Sequence, residues 1–262
     1  MFRLVEAIGR RTVGGIDQVG LGAVLLAESV FWLVAGRRRR QPVRLSAAVA
    51  QMLLIGVQAL PISTILAATI GLMLAIQGHY TLGLFGAESF APIGIALSVV
   101  REFSPLIIGI LVAGRTGSAL AARLGTMEIN QEIDALRVIG INPVRFLVVP
   151  ALVALIVMMP ALVMWANLVA LAAAGLYVTA QLGTTMTAFA ADTMAALSVG
   201  DLTHGLAKSV LFALLIALIG AVNGAMVRGG AEGIGRATTQ AVVQSIAAIV
   251  IADMVFAFVV TR

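Results

Sequence analysis

Apolar residues fall in runs too long for ordinary core elements. A hydrocarbon core of about 30 Å takes roughly 20 apolar residues as a helix. Five stretches reach that length: 53–76, 93–113, 146–177, 206–227 and 241–260. The third is long enough to tilt or kink, and Pro150 and Pro160 give it places to do so. The runs are continuous rather than alternating, and aromatic residues make up only 5% of the chain. A membrane barrel, with its period of two and its aromatic girdles, is excluded. The pattern predicts an all-α integral membrane protein with five transmembrane helices.

Ahead of the first span, Val5, Ile8, Thr12, Ile16, Val19, Ala23, Leu26, Val30 and Leu33 step by threes and fours along one helical face. The most apolar part, 21–35, is short for a span and contains Glu28. It reads as an amphipathic helix lying in the interface, with Trp32 at headgroup depth and Arg37–Arg40 facing anionic lipid. A short sixth span is the alternative. Arg10 and Arg11 interrupt the segment and no cleavage pattern follows, so it does not read as a signal peptide. The chain divides into 1–44, an interfacial helix with a basic linker, and 45–262, the bundle of spans.

The loop 114–145 carries its own periodicity. In Met127–Ile139 the apolar residues Ile129, Ile133 and Leu136 share a face, while Glu128, Glu132 and Asp134 lie on others. Gly140 and Asn142-Pro143 stop the helix. Such a stripe must bury itself against the membrane surface, its own bundle or a docked protein. Its acidic neighbours disfavour an anionic surface, so a docked protein is the preferred reading.

Composition sharpens the picture. Hydrophobic residues are 61% and charged residues 11%, and mean hydropathy is +1.08. Soluble domains carry about 25% charge, so a water-facing monomer is excluded. The net charge of +5 invites a nucleic-acid partner, but the positives alternate by side. Arg3, Arg10, Arg11, Arg37–Arg40 and Arg44 precede the first span. Arg115, Arg123, Arg137 and Arg145 lie in loop 114–145, and Arg228 and Arg236 in loop 228–240. Loops 77–92 and 178–205 have none. This is a topology signal, with a cytoplasmic N-terminus and an external C-terminus, and no nucleic acid is expected.

Thiol and metal catalysis lack their residues, since there is no cysteine and the two histidines, His79 and His204, are far apart. Gly114-Arg115-Thr116-Gly117-Ser118 lacks the lysine of a phosphate loop. No metal, cofactor or catalytic residue is expected, and active transport would draw on a partner or a gradient.

Ionisable residues at bilayer depth cost at least ~2.5–3.5 kcal/mol each, which makes them functional candidates. Arg101 and Glu102 sit in the second span, Lys208 near the start of the fourth, and Asp253 in the fifth. Pro105 frees a carbonyl one turn back, near Arg101. Either Arg101 and Lys208 face a cavity and meet an anion, or they pair with Glu102 or Asp253 to lock helices. Lys208 could also snorkel to the headgroups. Asn167 and Asn223 read as interhelical hydrogen-bond glue.

The run Ala113–Pro143, together with V-R-E-F-S-P at 100–105, I-Q-G at 76–78 and G-I-G-R-A-T-T-Q-A-V-V at 233–243, resembles the MlaE/YrbE-type permeases. These are the membrane subunits of MCE-associated ABC transporters. The resemblance implies a five-span subunit with an N-terminal interfacial helix, paired with a second permease copy. It further implies a cytoplasmic ABC ATPase that supplies ATP hydrolysis, and a membrane-anchored MCE-domain protein. The complex would move phospholipids between inner and outer membranes, with this chain in the inner membrane and its C-terminus periplasmic. In the family the loop helix couples to the ATPase, a role that maps onto Glu128, Glu132, Asp134 and Leu136. The family's lipid-cavity charges map onto Arg101, Glu102 and Lys208, leaving Asn223 and Asp253 as interhelical polar residues. The competing expectation is an ion-coupled transporter or channel using Arg101, Glu102 and Asp253.

Overall fold

A computed structural model describes residues 2–36 and 44–260. Arg37–Arg40, part of the charge reading, lie outside them. Among the described residues the secondary structure is helical throughout, with no strand. In chain order the helices are α1 Phe2–Ala35, α2 Leu45–Ile55, α3 Leu60–Gly83, α4 Ala91–Ser98, α5 Ser104–Val112 and α6 Ser118–Ile129. They continue with α7 Glu132–Val138, α8 Val149–Leu182, α9 Met186–Ala196, α10 Val199–Ala225 and α11 Gly230–Val260.

The chain is an all-α integral membrane protein. Among the described residues six helical segments, one more than expected, are long and apolar enough to cross a bilayer: Thr12–Ala35, Leu45–Gly83, Glu88–Ile129, Val144–Leu182, Val199–Ala225 and Gly230–Val259. The extra one lies in α1, which is unbroken across the point where the sequence reading began its apolar core, so its apolar stretch grows to 24 residues. The face predicted for α1 is exposed at Ile16, Val19, Val30 and Leu33. The face turned to protein is another, built on Leu21, Leu25 and Ser29.

Three π-helical turns interrupt the helices: Val99–Phe103, Ala113–Gly117 and Val144–Val148. Two have a common cause. Proline lacks an N–H and its ring crowds the carbonyl four residues back. For Pro105 that carbonyl belongs to Arg101, and for Pro150 to Phe146, each the middle residue of its π turn. The helix yields there by widening instead of breaking. Pro160, in contrast, sits inside α8 without interrupting it.

Two compact units divide the described chain. One comprises Met1–Gln51, Ala113–Ala154 and Leu214–Ala247; the other Met52–Val112, Leu155–Ala213 and Ala248–Arg262. In the first, Leu25, Leu124, Ile133, Leu147 and Val222 form an apolar core against which Leu21 and Leu136 pack. In the second, Ile108, Met159, Leu162, Phe212 and Ile249 are fully buried.

Segment 178–205, expected to be a loop, is mostly helix. Helix α8 runs to Leu182 and α9 follows, with the Thr185 hydroxyl accepting from the Ala188 N–H at 3.2 Å. Helix α10 begins earlier than expected because Ser198 and Asp201 cap it reciprocally. The Ser198 N–H donates to the Asp201 carboxylate at 2.9 Å and the Asp201 N–H to the Ser198 hydroxyl at 3.3 Å.

Candidate functional site

In the second unit the membrane-depth charges meet. The early start of α10 puts Asp201, His204 and Lys208 at i, i+3 and i+7, on one face of that helix. The π turn Val99–Phe103 carries Arg101 and Glu102 opposite them. Adjacent residues on a helix diverge by about 100°, and these two indeed take different partners. Arg101 Nη1 lies 3.4 Å from Asp201 Oδ1. The Lys208 ammonium donates to Glu102 Oε2 at 2.5 Å and stands 2.9 Å from Asp253 Oδ1 on α11.

Burial grades the cluster. Lys208 is fully enclosed, and Asp253 keeps 18% of its side-chain surface. Arg101 and Glu102 keep 31% and 40%. The open end is therefore the π turn and the sealed end is Lys208. An ammonium with no contact to solvent needs its counter-charges at hand, and two carboxylates supply them. In the structure Lys208 pairs across helices with both Glu102 and Asp253. Asp253 of α11 meets α10 through Lys208.

His204 completes the cluster. It is buried, its ring stands edge-on to Phe256 at 5.0 Å, and its Nε2 is 3.8 Å from Glu102 Oε1, beyond hydrogen-bond reach. Close approach here depends on Gly205. A Cβ at that position would lie 2.3 Å from the Val100 carbonyl oxygen, so only glycine lets α10 rest on the π turn. The sequence reading placed none of Asp201, His204 and Gly205 in the site, although S-V-G-D at 198–201 carries the capping signal that brings them into α10.

The first unit holds the second candidate surface. One helix was expected over Met127–Ile139. Instead α6 ends at Ile129, and Gln131 takes a left-handed φ of 60° before α7 begins. The break redistributes the stripe. Ile133 is buried and Leu136 packs on the unit's own core. The apolar stripe of α7 is thus covered by the unit's own core. Glu128 is half-buried and, with Arg137, Leu25 and Ile133, lines a cavity of about 210 Å³. What α7 leaves exposed is Glu132, Asp134 paired with Arg137 at 2.8 Å, and the apolar pair Val138 and Ile139. Val138 and Ile139 were not singled out from the sequence.

The polar residue Asn223 is buried on α10. Its amide donates to the Ile219 carbonyl at 2.9 Å and to Gln244 Oε1 at 2.7 Å, and Gln244 in turn donates to Gln18 at 3.1 Å, tying α10, α11 and α1. Asn167 is buried, but its Oδ1 has no hydrogen-bond partner. Among the described residues, no group of three or more His, Cys, Asp or Glu could hold a metal ion.

Comparison with known proteins agrees with this architecture. A "Probable ABC transporter permease protein" of Rickettsia conorii is 32% identical over 253 residues, covering 97% of this chain and 96% of its own length. A protein of the same description from Synechocystis is 34% identical over 204 residues, 78% of this chain and 77% of its own. "Protein TRIGALACTOSYLDIACYLGLYCEROL 1, chloroplastic" of Arabidopsis thaliana is 38% identical over 161 residues, 62% of this chain and 46% of its own. The family described as "Permease MlaE" matches residues 48–259, which take in the charge cluster, α7 and every apolar span after α1, and the chain belongs to that family.

Proposed function

We propose that this chain is the membrane subunit of an ABC transporter that moves phospholipids between the inner and outer membranes of a bacterium. The observation that carries the reading is the graded charge cluster. Arg101 and Glu102 stand open at a π turn inside an apolar span, while Lys208 and Asp253 seal the inner end. A phospholipid headgroup carries a phosphate that the partly exposed Arg101 guanidinium, beside Asp201, can meet by charge-assisted hydrogen bonds. Lys208 serves by fixing Glu102, not by touching lipid.

The chain contains no phosphate loop of its own. ATP is bound and hydrolysed by a separate cytoplasmic ABC ATPase, which docks on the exposed face of α7 through Glu132, Asp134, Val138 and Ile139. Residues 45–262 act as the permease proper and 1–44 as the interfacial element. A second permease copy and a membrane-anchored MCE-domain protein complete the assembly, with the N-terminus cytoplasmic and the C-terminus periplasmic. The positive residues of loops 114–145 and 228–240 support that orientation.

Mass spectrometry of the purified complex tests the reading. Wild type should carry phospholipid and the ATPase subunit. Arg101→Ala should lose most of the phospholipid and keep the ATPase, whereas Glu132→Arg should lose the ATPase. Equal phospholipid in wild type and Arg101→Ala would overturn the headgroup assignment.

A further inference from the structure

Helix α1 contains a carboxylate that the charge cluster does not use. Glu28 is half-buried in a helix whose 24-residue stretch Thr12–Ala35 is apolar enough to cross a membrane. A carboxylate half-buried there carries a cost and calls for a partner. The partner lies 114 positions away: Asn142 Nδ2 donates to Glu28 Oε1 at 2.5 Å.

Asn142 has two tasks. Its Oδ1 accepts the Arg145 N–H at 3.0 Å, at the entry to the π turn Val144–Val148 that leads into α8. Its amide reaches across to α1. Two further contacts run the same way. The Arg145 guanidinium lies 5.3 Å above the Trp32 ring, one helical turn from Glu28. Leu21 and Leu25 of α1 belong to the same apolar cluster as Ile133 and Leu136 of α7. The segment from α7 to the start of α8 is thus held to α1 at Leu21/Leu25, at Glu28 and at Trp32, three successive turns of one face.

We infer that Glu28 and Asn142 form a clamp that makes α1 and α7 move as one body, so that Glu28 is a positioning residue for the surface on which the ATPase acts. The inference rests on the proposed docking of an ATPase on α7. A push on the exposed side of α7 cannot shift Ile133 or Asn142 without displacing α1. The N-terminal helix then becomes part of the coupling machinery and not only a membrane anchor.

One substitution isolates the clamp. Asn142→Asp keeps the size of the side chain and the oxygen that accepts from Arg145, and a carboxylate at a helix entry is favoured by the helix dipole. On local grounds it is neutral or stabilising. Across the interface it replaces a donor by a second carboxylate facing Glu28. The double variant E28Q/N142D restores one donor and one acceptor with their roles reversed.

Hydrogen–deuterium exchange on the full chain in detergent reads the clamp directly. In N142D, exchange in 21–32 and 132–138 should rise together by about tenfold, the scale expected for loss of a charge-assisted hydrogen bond. In E28Q/N142D both segments should return to the wild-type rate. A rise in only one segment, or no recovery in the double variant, overturns the clamp. A second arm uses the complex with its ATPase in phospholipid vesicles. N142D should lower lipid transferred per ATP hydrolysed, with the ATPase still bound, and E28Q/N142D should restore it. If the wild-type complex transfers no lipid, the transporter reading fails while the exchange data still decide the clamp. If N142D transfers as wild type does, the coupling role of Glu28 is overturned.

Discussion

Lys208 shows what a single residue costs and does. Its ammonium has no contact with solvent and is held by Glu102 and Asp253. Removing one member of a buried ion pair costs about 3–5 kcal/mol, chiefly by leaving the other charge without compensation. Lys208→Met strands two carboxylates, though Glu102 is partly exposed and loses less than that range. Asp253→Asn leaves Lys208 its bond to Glu102. Thermal unfolding in detergent should therefore rank wild type above Asp253→Asn and Asp253→Asn above Lys208→Met; equal loss in the two variants would show that Asp253 is the essential counter-ion. The residues of this cluster were legible because ionisable groups are conspicuous in apolar runs. Their pairing was not, since it depends on how α10 is turned about its axis. That turn rests on the Ser198–Asp201 cap and on Gly205, whose meaning lies in a contact with Val100 more than a hundred positions away.

At the scale of elements, prolines set the geometry more finely than a span prediction conveys. Pro105 and Pro150 each create a π turn centred on the residue four positions back, and Arg101 is one of those residues. Sequence reasoning located the loosened carbonyl; the widened turn, and with it the direction of Arg101 and Glu102, needed coordinates. Pro105→Ala restores the missing N–H and should let the turn revert to regular α-helix. The helix itself would gain stability, yet Arg101 and Glu102 would rotate off the Asp201–Lys208 face. The expected outcome is an intact, folded protein with bound phospholipid sharply reduced, read by mass spectrometry against wild type. Unchanged lipid content would show that the π turn is dispensable. Helix α7 teaches the opposite lesson. The periodicity of Ile129, Ile133 and Leu136 was real, but the chain turns left-handed at Gln131 and folds that stripe onto its own core. A residue outside glycine in that conformation is uncommon, and nothing in the local pattern announced it.

For the molecule as a whole, the class of fold was written in the long apolar runs, and the family in the motifs between 76 and 243. The count of candidate spans was off by one because α1 continues unbroken through its charged residues Asp17 and Glu28. Apolar side chains remain exposed along α11, among them Val250, Ile251, Met254 and Phe258, as suits a helix in contact with lipid tails or another apolar surface. The proposed function makes the chain a membrane subunit that binds lipid within its spans and takes its energy from a partner. ATP-driven transfer of labelled phospholipid in vesicles holding the complete complex tests that claim most directly. Transfer should require the ATPase subunit and ATP, and should collapse with Arg101→Ala while ATP binding to the partner persists. Lipid movement that follows an imposed proton gradient in the absence of ATP would contradict the account.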